Sequence, residues 1–293
     1  MTSSMKCLAL DYERYHKTFR VYLEKSTEHQ AVHKFILESL PGILASRAGK
    51  GKTTFDVISL GSGTGEVDLE ILSQLRKVLP DVKVDCDMVE PSEPMLEKCK
   101  DVMLRTPNLE NVNFTWNQMT ASEFEKHWRG RQPEKNVDFI HMIQMLYYEV
   151  DALATISFFR SLLKENGKLL IILISGECGW GKLWSVYGNE FVRSDLNQAL
   201  TAAPIKNYLT AEGISFESFM LPTKLDITDC FTSGNKKGEL LLDLLTELVD
   251  FSHTAPPELK AGVLDYLRRP DCTTEVNGRA LFNTSLEVLV LGQ

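Results

Sequence analysis

"FDVISLGSGTGEVDLEILSQLRKV", residues 55–78, passes from a β-branched apolar run through three glycines into a segment with helical spacing. Phe55, Val57, Ile58 and Leu60 read as a buried strand, Gly61, Gly63 and Gly65 as a turn, and Val67, Leu69, Ile71, Leu72, Leu75 and Val78 as one face of a helix. Strand, glycine turn and helix in this order form the unit from which doubly wound α/β sheets are built, and the turn is where such sheets hold ligands. Glycine tolerates positive φ and close backbone approach, and the helix that follows aims unpaired N–H groups at whatever sits there.

The spacing is G-x-G-x-G, with Glu66 where a dinucleotide fingerprint needs its third glycine. No Lys or Arg lies between Gly61 and Glu70, so the loop suits a nucleoside better than a pyrophosphate. The next apolar run, 82–89, ends in Glu90-Pro91-Ser92, which puts a carboxylate at a strand tip where it can grip ribose hydroxyls. Upstream, Gly51-Lys52-Thr53 imitates the end of a P-loop, but Ser46 stands where the first glycine belongs and the strand comes after the loop. That stretch reads as a solvated basic connector.

Working outward, helical periodicity covers 10–25 and 28–40, with Ser26-Thr27 as a cap before the second helix. Beyond the glycine loop, strands at 82–89, 112–116, 137–143 and 168–175 alternate with helices at 92–105, 121–129 and 151–164. An aromatic segment (180–191), a helix near 205–212, a strand at 214–220, a helix near 239–250 and a last strand at 281–291 complete the pattern. The expected fold class is α/β, a Rossmann-like doubly wound sheet with its ligands at the strands' C-terminal tips.

The 293 residues, 43% apolar and 25% charged, suffice for a substantial core. A net charge of −8 disfavours nucleic acid, which needs a basic surface. No apolar run is long enough to span a membrane and "MTSSMKCLAL" lacks a signal-peptide core, so a cytoplasmic protein without a membrane partner is expected. Cys7, Cys86, Cys99, Cys178, Cys230 and Cys272 show no C-x-x-C spacing, and His29 and His33 lack the internal glutamate of a zincin, so neither a disulfide framework nor a metal site is expected.

These features resemble those of the class I S-adenosylmethionine-dependent methyltransferases. "STEHQ" (26–30), "VEPS" (89–92), "DFIHMIQMLYY" (138–148), "GELLLDLLTE" (238–247) and "TAPP" (254–257) resemble the histamine N-methyltransferase family in particular. The resemblance implies a seven-stranded sheet with the last strand antiparallel, in a monomeric chain. Residues 1–45 would form helices over the substrate pocket, 52–175 the S-adenosylmethionine-binding core, and 176–293 the substrate-domain insertions and final strands.

It also implies roles for residues. Gly61, with Gly63 and Gly65, would take the cofactor's methionine end, Glu90 its ribose, and Ile143 would line the same site. Met95 and Ala121 stand where the family has a glutamine and a serine near the adenine, so contacts there become apolar or main-chain. Glu28 would meet a small imidazole substrate, surrounded by Tyr15, Phe19, Gln144, Tyr147, Tyr148, Trp180 and Trp184. Ala9 and Leu244 replace family phenylalanines, Thr284 an asparagine and Asn197 a cysteine. An enlarged pocket with Thr284 and Asn197 as hydrogen-bonding groups favours carnosine (β-alanyl-histidine, giving anserine) as substrate. Histamine is the alternative, and a non-catalytic S-adenosylmethionine-fold binding protein a further one. Methylation is a direct in-line displacement by a neutral ring nitrogen, so the expected catalytic set is empty of covalent residues and metals, and positioning does the work.

Overall fold

The computed structural model describes residues 5–45, 53–131, 136–191 and 199–293. Asn197, and Gly51-Lys52 of the P-loop-like stretch, lie outside the described residues. In chain order the helices are α1 (Tyr12–Lys25), α2 (Glu28–Glu38), α3 (Leu40–Ala45), α4 (Glu66–Val78), α5 (Glu93–Arg105), α6 (Ala121–Arg131), α7 (Ala152–Ser161), α8 (Gly179–Phe191), α9 (Ala202–Ala211), α10 (Lys236–Thr246), α11 (Phe251–Thr254) and α12 (Pro257–Leu267). The strands are β1 (Thr54–Leu60), β2 (Lys83–Val89), β3 (Val112–Asn117), β4 (Val137–Ile143), β5 (Leu163–Ile174), β6 (Phe216–Leu221), β7 (Lys224–Asp226), β8 (Thr273–Val276), β9 (Arg279–Asn283) and β10 (Leu286–Leu291).

Two compact units share these elements. The sheet unit takes Val32–Ile172, Tyr208–Phe219 and Val288–Gln293, and the helical unit takes Met1–Ala31, Leu173–Asn207 and Met220–Glu287. Seven strands in the order β3-β2-β1-β4-β5-β10-β6 make the large sheet, which is mixed, with one antiparallel strand. β1 pairs in parallel with β2 and with β4, so Leu60 stands level with Val89 on one side and with Met142 on the other. From β1 the chain moves outward through β2 and β3, then returns to build β4 and β5 on the opposite side. The strand order therefore reverses between β1 and β4, which opens a crevice beyond their C-terminal ends. All of β10 and all but the first residue of β1 are buried, as strands covered on both faces require. Among the described residues no helix is long and apolar enough to cross a membrane.

The helical unit holds a three-stranded antiparallel sheet, β7-β9-β8. The expected last strand, 281–291, is in fact two strands serving different sheets. Asn283 breaks it, because its Oδ1 accepts the Ser285 N–H (3.0 Å) and hydroxyl (2.7 Å), a local turn that competes with the ladder. The helix expected near 239–250 ends at Thr246, where Glu247 turns left-handed at φ 55°. α3, α12 and the small sheet were not foreseen. For α12 the signal was present in Pro256-Pro257, since proline is tolerated in a first helical turn. The cap expected at Ser26 is observed, its Oγ accepting the Glu28 N–H at 3.0 Å.

Candidate active site

β1 delivers Gly61 to the crevice at φ 70°, and a Cβ there would lie 2.6 Å from Cβ of Met145, so only glycine fits. Gly63 and Gly65 also have positive φ, and Gly65 caps α4. The loop is stitched to the end of β2 by Gly61 N–H and Ser62 N–H, both donating to the Val89 carbonyl (2.9 and 3.2 Å). Glu90 completes the cradle. Its Oε2 accepts the Gly63 N–H and its Oε1 the Ser92 N–H, each at 2.9 Å. Burial pushes its carboxyl above the usual range, against those two N–H groups that favour the ionised form. Each oxygen keeps a lone pair for a further donor. Beside it the Ser92 hydroxyl is buried without a hydrogen-bond partner. A fixed carboxylate and an orphaned hydroxyl suit a ribose diol, so these residues fit S-adenosylmethionine.

On β4, Ile143 ends the strand and Gln144 follows at φ 54°, its N–H held by the Ile172 carbonyl (2.9 Å). The Tyr147 hydroxyl donates to Gln144 Oε1 at 2.5 Å, so the glutamine amide is oriented rather than loose. Tyr147 is buried and Tyr148 is 38% exposed, their rings edge to face at 6.4 Å. Met95 is half-buried in the first turn of α5, and buried Ala121 begins α6. Thus the sheet unit brings Gly61, Gly63, Glu90, Ile143, Gln144 and Tyr147 to the ends of adjacent strands.

Beneath the loop lies a group that the sequence reading passed over. Asp68, in the first turn of α4, accepts a hydrogen bond from Ser59 of β1, and His141 Nε2 of β4 lies 3.4 Å from its Oδ1. Burial pushes Asp68 up to about 7, helped by Glu90 and Glu66, and pushes His141 down to about 3. A carboxyl among the buried residues of α4 and an imidazole between the apolar Ile140 and Met142 of β4 were the available signals.

The helical unit gathers the aromatic residues. Tyr15 and Phe19 stack at 6.1 Å, Phe19 and Tyr22 at 6.2 Å, Tyr22 meets Trp180 at 5.8 Å, and Trp180 meets Trp184 at 5.5 Å. Both indole N–H groups donate to the Leu245 carbonyl (3.1 and 3.0 Å), one of the carbonyls left over in the last turn of α10. Their polar edges are therefore occupied, and only their faces can meet a ligand. Glu28, the first residue of α2, closes the row by accepting the Tyr22 hydroxyl.

Thr284 is fully buried, its Oγ1 2.8 Å from that of Thr223. Leu244 is buried on α10, and Ala9 is half-buried in a 3₁₀ turn at Leu8–Leu10. All six cysteines are buried and unpaired.

A family model for methyltransferase domains matches residues 29–216. The histamine N-methyltransferase of Danio rerio is 53% identical over 99% of each chain, and those of Bos taurus and Mus musculus are each 43% identical over 99% of each chain. Among solved structures, the YcgJ protein from Bacillus subtilis (TM-score 0.52, 14% identity, 87% of this chain and 98% of that one) shares the fold. A Bacillus halodurans structure does so too (TM-score 0.53, 13% identity, 86% and 97%).

Proposed function

Since this chain belongs to the histamine N-methyltransferase family of S-adenosylmethionine-dependent methyltransferases, we propose that it methylates a ring nitrogen of histamine. The observation that carries this reading is the row of rings from Tyr15 to Trp184 that closes on the carboxylate of Glu28. Flat apolar faces take up an imidazole and favour a cationic amine, and a carboxylate accepts a ring N–H.

Histamine is preferred to carnosine for two reasons. The relatives identical at 43–53% over nearly their whole length are histamine N-methyltransferases. Of the two groups that favoured the larger substrate, the Thr284 hydroxyl is already engaged by Thr223, and Asn197 lies outside the described residues. The expectation of carnosine thus loses its support.

Glu90 would hold the cofactor's ribose and Gly61, Gly63 and Gly65 its methionine end, while Ile143, Met95 and Ala121 supply apolar contact. When bound, S-adenosylmethionine supplies an electrophilic methyl group on a sulfonium. The protein's part is to orient and to exclude water. With an imidazole pKa of about 6.5, much of the ring is neutral at pH 7, so no strong general base is required. Glu28 fixes the tautomer by accepting one ring N–H, and leaves the other nitrogen's lone pair to attack. Gln144, oriented by Tyr147, offers a second polar handle. Six buried free thiols fit a reducing compartment, and we take the enzyme to be a cytoplasmic monomer.

The test is kcat/KM for histamine and carnosine measured side by side with labelled S-adenosylmethionine. Histamine should win by about tenfold or more, a ratio that reports differential transition-state binding. A reversed preference, or transfer to neither compound, would sink the reading.

A further inference from the structure

The methyl transfer makes no use of Asp68, a carboxyl only 4% exposed in the first turn of α4, three residues beyond the glycine loop. We propose that Asp68 sets the discrimination between the charged cofactor and its spent product: it gives up a proton when S-adenosylmethionine binds and keeps it when S-adenosylhomocysteine, which lacks the sulfonium charge, is bound. The inference rests on the reading that the cofactor sits in the cradle of Gly61, Gly63 and Glu90.

Ser59 and His141 stand level on the adjacent parallel strands β1 and β4, and both are buried. Asp68 reaches the two of them from α4, its Oδ1 accepting the Ser59 hydroxyl and lying 3.4 Å from His141 Nε2. Two residues further along the strands stand Gly61 and Ile143. The cluster therefore lies about 7 Å below the cradle, measured along the strands. At that range a unit charge changes a carboxyl's ionisation constant about tenfold, even against an effective dielectric well above that of dry protein.

Opposed influences leave Asp68 poised. Burial favours its neutral form, the Ser59 hydroxyl and its own N–H favour the ionised one, and the carboxylates of Glu90 and Glu66 oppose ionisation, which holds the group at about 7. Glu90 belongs to the cradle, so charge placed in the cradle is felt at Asp68, and a cation there acts with the opposite sign. The other groups that face the cluster stay fixed near pH 7. Burial pushes His141 down to about 3, so it does not take the proton, which passes to solvent. Cys86 of β2 and Cys99 of α5 are pushed up by burial and then by Asp68 itself, and remain thiols. Lys98 of α5 lies 3.5 Å from Glu66, and Glu70, across α4 from Asp68, pairs with His33 at 2.8 Å. S-adenosylmethionine carries a sulfonium and an ammonium against one carboxylate, whereas S-adenosylhomocysteine is neutral overall. An ionised Asp68 offsets the extra charge of the first and gains nothing from the second, so the product is the ligand more readily released.

Titration calorimetry in two buffers of different ionisation enthalpy counts the protons released on binding. At pH 6.5 the wild-type protein should release about half a proton with S-adenosylmethionine and almost none with S-adenosylhomocysteine, the fraction that a tenfold change in a constant near 7 implies. Its preference for S-adenosylmethionine should rise about fourfold between pH 6 and 7.5, because the ligand that expels a proton binds better as protons become scarce. D68N keeps an acceptor for the Ser59 hydroxyl but has no proton to lose, so it should abolish both differences. The proposal is overturned if wild type releases equal numbers of protons with the two ligands, a comparison that stands even where D68N fails to fold. It is overturned equally if D68N retains the difference, which would assign the proton to another group or to the ligand's own amine. If Glu90→Ala binds S-adenosylmethionine as tightly as wild type, the cofactor is not in this cradle and the proposal falls with its premise. Weakened binding in Glu90→Ala together with equal proton release in wild type would sink the role of Asp68 alone.

Discussion

Arg14 Nε lies 2.5 Å from Asp243 Oδ2, which joins α1, the helix that carries Tyr15 and Phe19, to α10. Asp243 also accepts the N–H groups of Asp250 (3.0 Å) and Phe251 (2.9 Å), so one buried carboxylate secures both the helix pair and the turn after α10. Asp243→Ala should destabilise the protein by about 2–4 kcal/mol, because it leaves the Asp250 and Phe251 N–H groups without their acceptor and Arg14 with only its longer contact to Asp250 (3.3 Å). Arg14→Ala should cost less, since Asp243 keeps its two backbone donors. Urea unfolding measures both, and a loss below about 1 kcal/mol for Asp243→Ala would show the pair to be no more than a surface contact.

Glu90 secures the loop and, on the proposed function, would hold the cofactor as well. Glu90→Ala removes two acceptors that hold Gly63 and Ser92 as well as the charge-assisted bonds expected to ribose. Bonds to charged groups are worth about 1.5–3 kcal/mol each, so S-adenosylmethionine affinity should fall at least about tenfold. Glu90→Gln, which keeps an acceptor oxygen, should fall less. Calorimetric Kd values for the three proteins check the order, and an unchanged Kd in Glu90→Ala would remove Glu90 from the site.

The sheet unit was largely legible because its signals are local. A buried strand, a glycine turn and an amphipathic helix each declare themselves within a short window, and Glu90 follows from where β2 ends. The helical unit was less so, since its small sheet is built from strands as short as β7, whose partner β9 lies far along the sequence. The specific bonds that Tyr22, Trp180 and Trp184 make inside the fold were not legible for a related reason. Periodicity reports which face is buried, not which polar atom on that face has a partner.

Trp180 and Trp184 share one acceptor, and that makes their substitutions non-additive. Replacing either with phenylalanine leaves the Leu245 carbonyl with one indole donor, so each single variant should lose little beyond its own hydrogen bond and packing. The double variant orphans a buried carbonyl. It should cost about 1–2 kcal/mol more than the sum of the singles, the penalty of an unsatisfied buried group. Unfolding free energies of the four proteins close the cycle, and simple additivity would show that water reaches the carbonyl.

Burial shifts the Asp68 carboxyl up and the His141 imidazole down, and these opposed shifts predict a pH profile. In the unfolded chain they have pKa values of about 3.9 and 6.5, whereas in the fold Asp68 stands at about 7 and His141 at about 3. Taken alone, the raised carboxyl contributes stability that is complete below about pH 3.9 and lost as pH rises to about 7. The depressed imidazole contributes stability that is complete above about pH 6.5 and lost as pH falls to about 3. Between these limits the two slopes cancel, because folded and unfolded states each hold one proton on the pair, whichever residue carries it in the fold. Wild type should therefore draw no pH dependence from this pair between about pH 4 and 6.5. Asp68→Asn unmasks the imidazole, and its stability relative to wild type should rise by roughly 2 kcal/mol between pH 5 and 6.5. His141→Gln should show the opposite slope over the same interval. Denaturant unfolding at those two pH values measures the difference directly, and parallel profiles for all three proteins would mean that Asp68 and His141 are not the buried, mutually compensating groups that their positions beneath the glycine loop require.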